Sequence, residues 1–317
     1  MSSRRAGAPR GVFLGLATLD VVHFVDALPG ANVKITALGQ QVAAGGPATS
    51  AAITFAAMGG DAVLVTVLCP GPVARIVRAD IESCGVRVVD VAADHAGDAP
   101  VSSITVLAAT GERTVVSVDG TASQVETVPD LSALLGDADV ALVDGHHPVL
   151  AEAGARAARA GAVPLVLDAG RWREVMRTLL PLADDVICSA DFRCPGSTNV
   201  ESSAGAIAGY GVRTTVVTRG PDPVLWWQGD QAGSVTPPDV RVVDTSGAAT
   251  RSTAPIATCS PTRVSTSPAV SLVRRTSRRS SARPQACAPG SPTSPRDYFD
   301  NRESPVGSQP RAPTSTR

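Results

Sequence analysis

Short apolar runs rich in valine alternate, over most of the chain, with stretches whose apolar residues return every three or four positions. The runs predict buried strands at 11–19 (GVFLGLATL), 62–68 (AVLVTVL), 86–91 (VRVVDV), 139–145, 162–170, 184–190 and 213–220. The longer period predicts helices at 47–58, 72–83, 148–160, 171–180 and 201–210. Pro47 and Pro72 stand where a helix tolerates proline, at its first turn, and Gly59-Gly60 and Gly85 stand where helices stop. Two alternating segments, 102–120 around Thr110-Gly111 and 224–237, read as hairpins. Repeated strand–helix units predict an α/β fold, a doubly wound and mostly parallel sheet with helices on both faces, and the hairpins predict small antiparallel additions. Ligands of such sheets sit beyond the carboxyl ends of the strands. Asp20, Asp144, Asp168, Ser189 and Gly220 fall at those ends.

The periodicity stops after residue 246, and the composition changes with it. Residues 247–317 hold 11 Arg, no Lys and three acids, a charge of +8, together with 13 Ser, nine Thr and ten of the chain's 25 Pro. Residues 1–246 carry −9, so the net −1 of the whole averages two unlike regions. A segment built like the second cannot bury enough apolar surface to offset its ordering entropy. The expected organisation is a flexible N-terminus over 1–10, one domain over 11–248 and a disordered basic tail over 249–317. The six cysteines show no C-x-x-C pair and no metal-ligand spacing with the four histidines, so no metal site is expected. His146 and His147 lack a third ligand and read as site-lining or solvated. With no apolar core behind Arg4 and Arg5 and no run long enough to span a bilayer, the reading is a cytoplasmic protein with reduced thiols and no membrane partner.

Three motifs carry candidate chemistry. "AAGGPATSAA" (43–52) is a glycine pair opening a helix, where bare amides can approach a hydroxyl or an anion. Thr218-Arg219-Gly220 ends a strand and turns. Asp244-Thr245-Ser246-Gly247-Ala248 is a capping cluster ahead of an expected helix. Each has a plain structural reading when taken singly. In this order and spacing they resemble the ribokinase/PfkB family of carbohydrate kinases, over roughly 11–248, and "DGHHP" (144–148), "DAGRW" (168–172) and "ICSADF" (187–192) resemble its ketohexokinase-like branch. The resemblance implies a β lid contributed by segments near 31–43 and 100–118, and transfer of the γ-phosphoryl of ATP, as its Mg2+ complex, to a sugar hydroxyl. It implies that Asp20, Gly45, Gly46 and Ser50 bind the sugar. Ser189, Thr218 and Gly220, with Asp244 and Thr245, bind the nucleotide. Gly247 and Ala248 form the anion hole, and the lid serves a homodimer. Ser50 replaces the family's Asn, and Pro223 replaces the second Gly of its nucleotide turn.

The largest departure follows Ala248. The family reads D-T-x-G-A-G-D-x-F-x-G-A, and its second Asp is the general base, yet Ala249 and Thr250 stand where Gly and Asp belong. Restoring one G after the Ala248 codon leaves one free base in each later codon, and with ordinary bases in those slots the frame reads Gly-Asp-Ala-Phe-His-Gly-Ala-Tyr-Cys, each slot admitting only a few amino acids. A one-base deletion therefore accounts both for the missing base and for the composition of the tail. Lys34 is the only lysine in the chain, a bias that GC-rich coding produces. The chain as written is expected to be inactive or impaired, since Thr250 cannot ionise near neutral pH. A non-catalytic sugar or nucleotide binder is the alternative. A dinucleotide-dependent oxidoreductase fails for want of G-x-G-x-x-G after a strand, and an out-of-frame tail has no selected role with nucleic acid.

Overall fold

The apolar runs pair side by side into one large sheet. The computed structural model describes residues 7–121 and 123–237. Within them lie β1 (Arg10–Leu14), β2 (Thr18–Val25), β3 (Gly39–Gly45), α1 (Pro47–Ala57), β4 (Asp61–Thr66), α2 (Pro72–Ser83), β5 (Arg87–Asp90), β6 (Val101–Leu107) and β7 (Arg113–Ser117). They are followed by α3 (Ser132–Leu135), β8 (Val140–Val143), α4 (Pro148–Ala160), β9 (Leu165–Ala169), α5 (Met176–Leu179), β10 (Asp185–Ser189), α6 (Val200–Ala208), β11 (Thr214–Arg219), β12 (Asp222–Gln228) and β13 (Gln231–Val235).

Nine strands form the main sheet in the order β13-β12-β11-β10-β9-β8-β1-β4-β5, parallel from β11 to β5 and antiparallel at the β11–β13 edge. From β1 the chain winds through β4 to β5 in one direction and from β8 to β11 in the other. The order thus reverses between β1 and β8, and in open α/β sheets the ligand crevice opens at that reversal. Helices cover both faces, as the alternation predicts. One apolar layer joins α1 and α2 to Phe13, Leu64, Leu142, Val166, Ile187 and Val216. The other joins α3, α4, α5 and α6 to Val12, Val143, Leu167 and Val217. Ala48, Ala51 and Ala52 are small enough for α1 to lie close on the sheet, and Phe55 meets Phe13 edge-on at 5.3 Å. Removing a phenyl-sized group from water contributes about 2–3 kcal/mol.

A second sheet, β3-β2-β6-β7, stands off the first. It is antiparallel except where β2 runs parallel to β6, and it has a small core of Val22, Ile104 and Val106. This small sheet matches the lid: β6 and β7 lie within 100–118, only the end of 31–43 is strand, as β3, and β2 comes from the end of the run read as a first buried strand.

Three elements differ from the sequence reading. The run 11–19 is not one strand. It breaks after Leu14 because the Asp144 carboxylate lies where a Cβ on Gly15 would sit, and the chain turns there into the lid. The helix expected over 171–180 shrinks to Met176–Leu179 and one 3-10 turn, Leu180–Leu182. Arg171 and Arg173 both reach Asp119, and residues two apart share a side only in extended chain. The short α3 has too few turns to show a period, and the apolar pattern does not predict it. The expected basic tail, 249–317, lies outside the described residues.

Candidate active site

At the strand-order reversal, one carboxylate organises three segments. Asp144, just after β8 and about 1 % exposed, accepts hydrogen bonds from the amides of Leu16 (2.9 Å), Ala48 (3.1 Å) and His146 (3.0 Å). Ala48 lies in the first turn of α1, where amides have no helical partner, and the N-cap Gly46 has no side chain to serve them. Asp144 therefore caps α1 from a distant strand. Burial alone would raise its pKa. The His146 imidazole, with Nδ1 at 3.2 Å, and the amides outweigh that and hold the carboxyl well below the usual range.

That cap sets the glycine pair. Gly46 has φ 102°, and a Cβ there would strike the Leu16 carbonyl, so glycine is required twice over. A Cβ on Gly45 would overlap the Asp20 carboxylate, which brings the end of β3 against the acid on β2. Thr49 Oγ1 donates to Leu16 O at 2.9 Å and fixes α1 to the turn after β1. Ser50 closes the first helical turn through its amide to Gly46 O at 2.9 Å. Asp20, Gly45, Gly46 and Ser50 thus gather around one corner, where the lid leaves the main sheet.

A line of hydroxyls crosses the lid from this corner. Thr18 Oγ1 donates to Asp20 Oδ1 at 2.7 Å, Ser102 Oγ lies 3.0 Å from Thr18 Oγ1 and 3.1 Å from Ser117 Oγ, and the Asp119 amide donates to Ser117 Oγ at 3.0 Å. None of these three hydroxyls stands out in the sequence. Their signal, small polar residues on adjacent lid strands, emerges only once β2, β6 and β7 are in register.

His147 is also buried, not solvated, with neither ring nitrogen hydrogen-bonded to a described residue. Burial, with His146 and Arg173 nearby, outweighs the attraction of Asp144 and lowers its pKa to about 4, so the ring is neutral near pH 7. Gly120 packs against it so closely that a Cβ would come 2.7 Å from Cε1.

The predicted nucleotide-side residues lie on β10 and β11, beyond β8 and β9 from β1. Ser189 ends β10 and donates to Gly170 O, Thr218 Oγ1 donates to Cys188 O at 3.3 Å, and Gly220 turns with φ 62°. β10 and β11 are neighbours, with Ser189 opposite Thr218, so these two do come together. A cavity of about 660 Å³ lies between the β6–β7 turn of the lid and Pro221, the residue after Gly220, and is lined by Leu28, Leu107, Thr110, Glu112, Arg113 and Thr114 as well. Among the described residues no cluster of three or more His, Cys, Asp or Glu could hold a metal ion. Asp244, Thr245, Gly247, Ala248 and Thr250 lie outside the described residues. No described helix is long and apolar enough to cross a membrane.

Known proteins give the same picture. The model of the "pfkB family carbohydrate kinase" matches residues 9–248. A candidate ribokinase from Agrobacterium tumefaciens superposes with a TM-score of 0.73 at 21% identity, covering 93% of this chain and 97% of that one. The Arabidopsis thaliana ribokinase, solved with ribose and ATP, gives 0.68 at 18% identity, covering 94% and 100%. The Thermotoga maritima ribokinase gives 0.65 at 17%, covering 92% and 98%. At these identities the likeness is one of fold.

Proposed function

The chain belongs to the pfkB family of carbohydrate kinases, and from that membership we propose an ancestral activity and its loss. In frame, the protein moves the γ-phosphoryl of ATP to a hydroxyl of a furanose or keto sugar. The observation that carries this is the corner at the strand-order reversal, where Asp20 faces the Gly45-Gly46 pair at the head of α1. A carboxylate accepts two sugar hydroxyls while backbone amides without side chains approach a third from close range. Ser50, shorter than the Asn of the family, leaves that part of the sugar more loosely held.

ATP and its Mg2+ enter as one substrate complex, with the metal held by phosphates. Ser189, Thr218 and Gly220 border the nucleotide, and Asp244 and Thr245 lead into the Gly247-Ala248 turn, whose amides form the anion hole. Closure of the lid excludes water, which strengthens each of these contacts. Transfer needs one more group, a base to take the proton from the attacking hydroxyl. Thr250 stands in its place.

We assign that replacement to a one-base deletion near codon 248. Its support is the reading of codons 249–257 one base out of frame, which admits the family's Gly, Asp, Phe, Gly and Ala in their places. The chain as written is then a binder of sugar that does not turn it over. Its placement in the ketohexokinase-like branch rests on "DGHHP", "DAGRW" and "ICSADF", and its place in a reducing cytoplasm is in keeping with four free cysteines among the described residues. Exposed Val42, Val115 and Val116 on the lid suit pairing with a second copy.

The test is ATP consumption by a chain with one base restored after codon 248, offered D-ribose, D-fructose and related furanoses. Turnover with at least one of them is expected. A well-folded repaired chain that consumes ATP with none would refute the reading.

A further inference from the structure

The lid ribbon β6–β7 has two feet on the main body, and they are fixed in different ways. At the entry foot Asp98 accepts from the amides of Val73 (3.1 Å), Ala74 (2.7 Å) and Ala99 (2.9 Å), so a carboxylate is locked into the first turn of α2. A Cβ on Gly71 would overlap that carboxylate, so the fit there is tight. Such bonds join rigid backbone to a short, partly buried side chain and are screened less than exposed ion pairs. At the exit foot Asp119 is held by Arg171 Nη2 at 3.4 Å and Arg173 Nη2 at 3.2 Å, two long side chains from the loop after β9. Arg171 is largely exposed, so its pair is weak and strongly screened by salt, while Arg173 and Asp119, each 26% exposed, form the stronger member and are screened in part.

Asp119 is also one of the few non-glycine residues with positive φ, at 50°, a conformation that asparagine and aspartate tolerate but do not favour. Its amide ends the hydroxyl line that begins at Asp20. Ser123 Oγ donates to Asp98 O at 3.1 Å and ties the two feet to each other below the ribbon.

We propose that Asp119, Arg171 and Arg173 form a releasable latch: the outer strand β7 swings away by freeing the Asp119 foot, while β6, paired along its length to β2, stays anchored at the Asp98 foot. Arg171 and Arg173 are then positioning residues, acting on the Asp20 corner through Ser117, Ser102 and Thr18. The unequal feet make the direction of opening a property of the fold. This holds whether or not the chain phosphorylates a sugar, so its test can fail without touching the kinase reading.

Hydrogen exchange read by mass spectrometry on the full chain, without ligand, separates the two feet. Asp119→Asn keeps the shape and the tolerance for positive φ and removes the charge. It is expected to speed exchange in Arg113–Ser117 and the following residues to 121 by about threefold to tenfold. Amides of Val73 and Ala74, and those of β4 and β9, keep their protection. Raising salt from 0.05 to 0.5 M, roughly a 14 to 4 Å screening length, should loosen the same segment in the wild type and add nothing in Asp119→Asn. Arg156→Gln, which breaks an exposed pair on α4, should leave the lid unchanged. Wild-type protection in Asp119→Asn would overturn the latch, as would acceleration spread evenly over β4 and β9 or a salt effect that persists without the Asp119 charge.

Discussion

The two ends of the candidate cleft are built from different materials. At the β1–β8 end a buried carboxylate, Asp144, collects three backbone amides, and α1 lies directly over the strands it serves. At the β10–β11 end the predicted residues offer hydroxyls that donate to backbone carbonyls, and neither α1 nor α2 lies over those strands. The first end is complete within segments that precede Pro148. The second, on the proposed reading, also uses Asp244 to Ala248, which lie outside the described residues. On the proposed reading, a lesion near codon 248 spares the end assigned to the sugar and strikes the end assigned to phosphoryl transfer.

The largest effect expected from breaking the first end comes from Asp144→Ala. It strands buried donors at Leu16, Ala48 and His146, a loss of at least about 3 kcal/mol in unfolding free energy, since each orphaned donor costs roughly 1–3 kcal/mol when buried. Denaturant titration at constant m-value measures it. The corresponding change at the other end, Thr218→Val, removes one 3.3 Å bond and should cost about 1 kcal/mol or less.

Acid should weaken the first end by a second route. The pKa of His147 is lowered on folding, from 6.5 to about 4, so the native state favours the neutral ring. Its contribution is fully present above pH 6.5 and falls away as pH drops from 6.5 toward 4, by up to about 3 kcal/mol over the whole window. Asp144, also lowered on folding, adds a loss at still lower pH, below its unfolded value near 3.8. Melting temperatures of the wild type and His147→Leu across pH 7 to 4 check this. The variant should show a flatter profile between 6.5 and 4.

A finer probe of the same corner is Gly45→Ala. Its Cβ collides with the end of a flexible side chain, so the fold adjusts at little cost while the Asp20 carboxylate moves. Affinity for D-ribose or D-fructose, whichever the wild type binds, should fall about tenfold by calorimetry, equivalent to ~1.4 kcal/mol, with melting nearly unchanged. The smallest effect belongs to the exposed Arg156–Glu152 pair on α4, where Glu152→Gln should shift stability by less than about 0.5 kcal/mol.

Much of this comparison was legible in the chain, and what was not has physical reasons. Helices 72–83 and 148–160 appear within the bounds their apolar period gave, because a proline opens each and one face of each is buried. Gly45 and Gly46 stood out because a glycine pair ahead of a helix is a local pattern, whereas Asp20, expected at the end of the first strand, lies inside the lid strand β2 because the chain breaks at Gly15. Asp144 could be placed only at a strand end. Its role depends on Leu16 and Ala48, which are 128 and 96 positions away. The break at Gly15 and the shortened helix after Arg173 were invisible for the same reason: each answers to a carboxylate on a distant segment, Asp144 in one case and Asp119 in the other. Periodicity reports which face is buried, not which charge it will meet.

The central claim is that sugar selection survives in this chain and phosphoryl transfer does not. It is tested by assaying the chain as written beside one with a single base restored after codon 248, both for sugar binding and for sugar-dependent ATP turnover. The account predicts that both bind the same sugar, and that only the repaired chain turns it over, by a margin of at least the roughly 10²–10⁴-fold that a general base contributes. Turnover by the unrepaired chain within about tenfold of the repaired one, a gap of only ~1.4 kcal/mol in barrier, would contradict it.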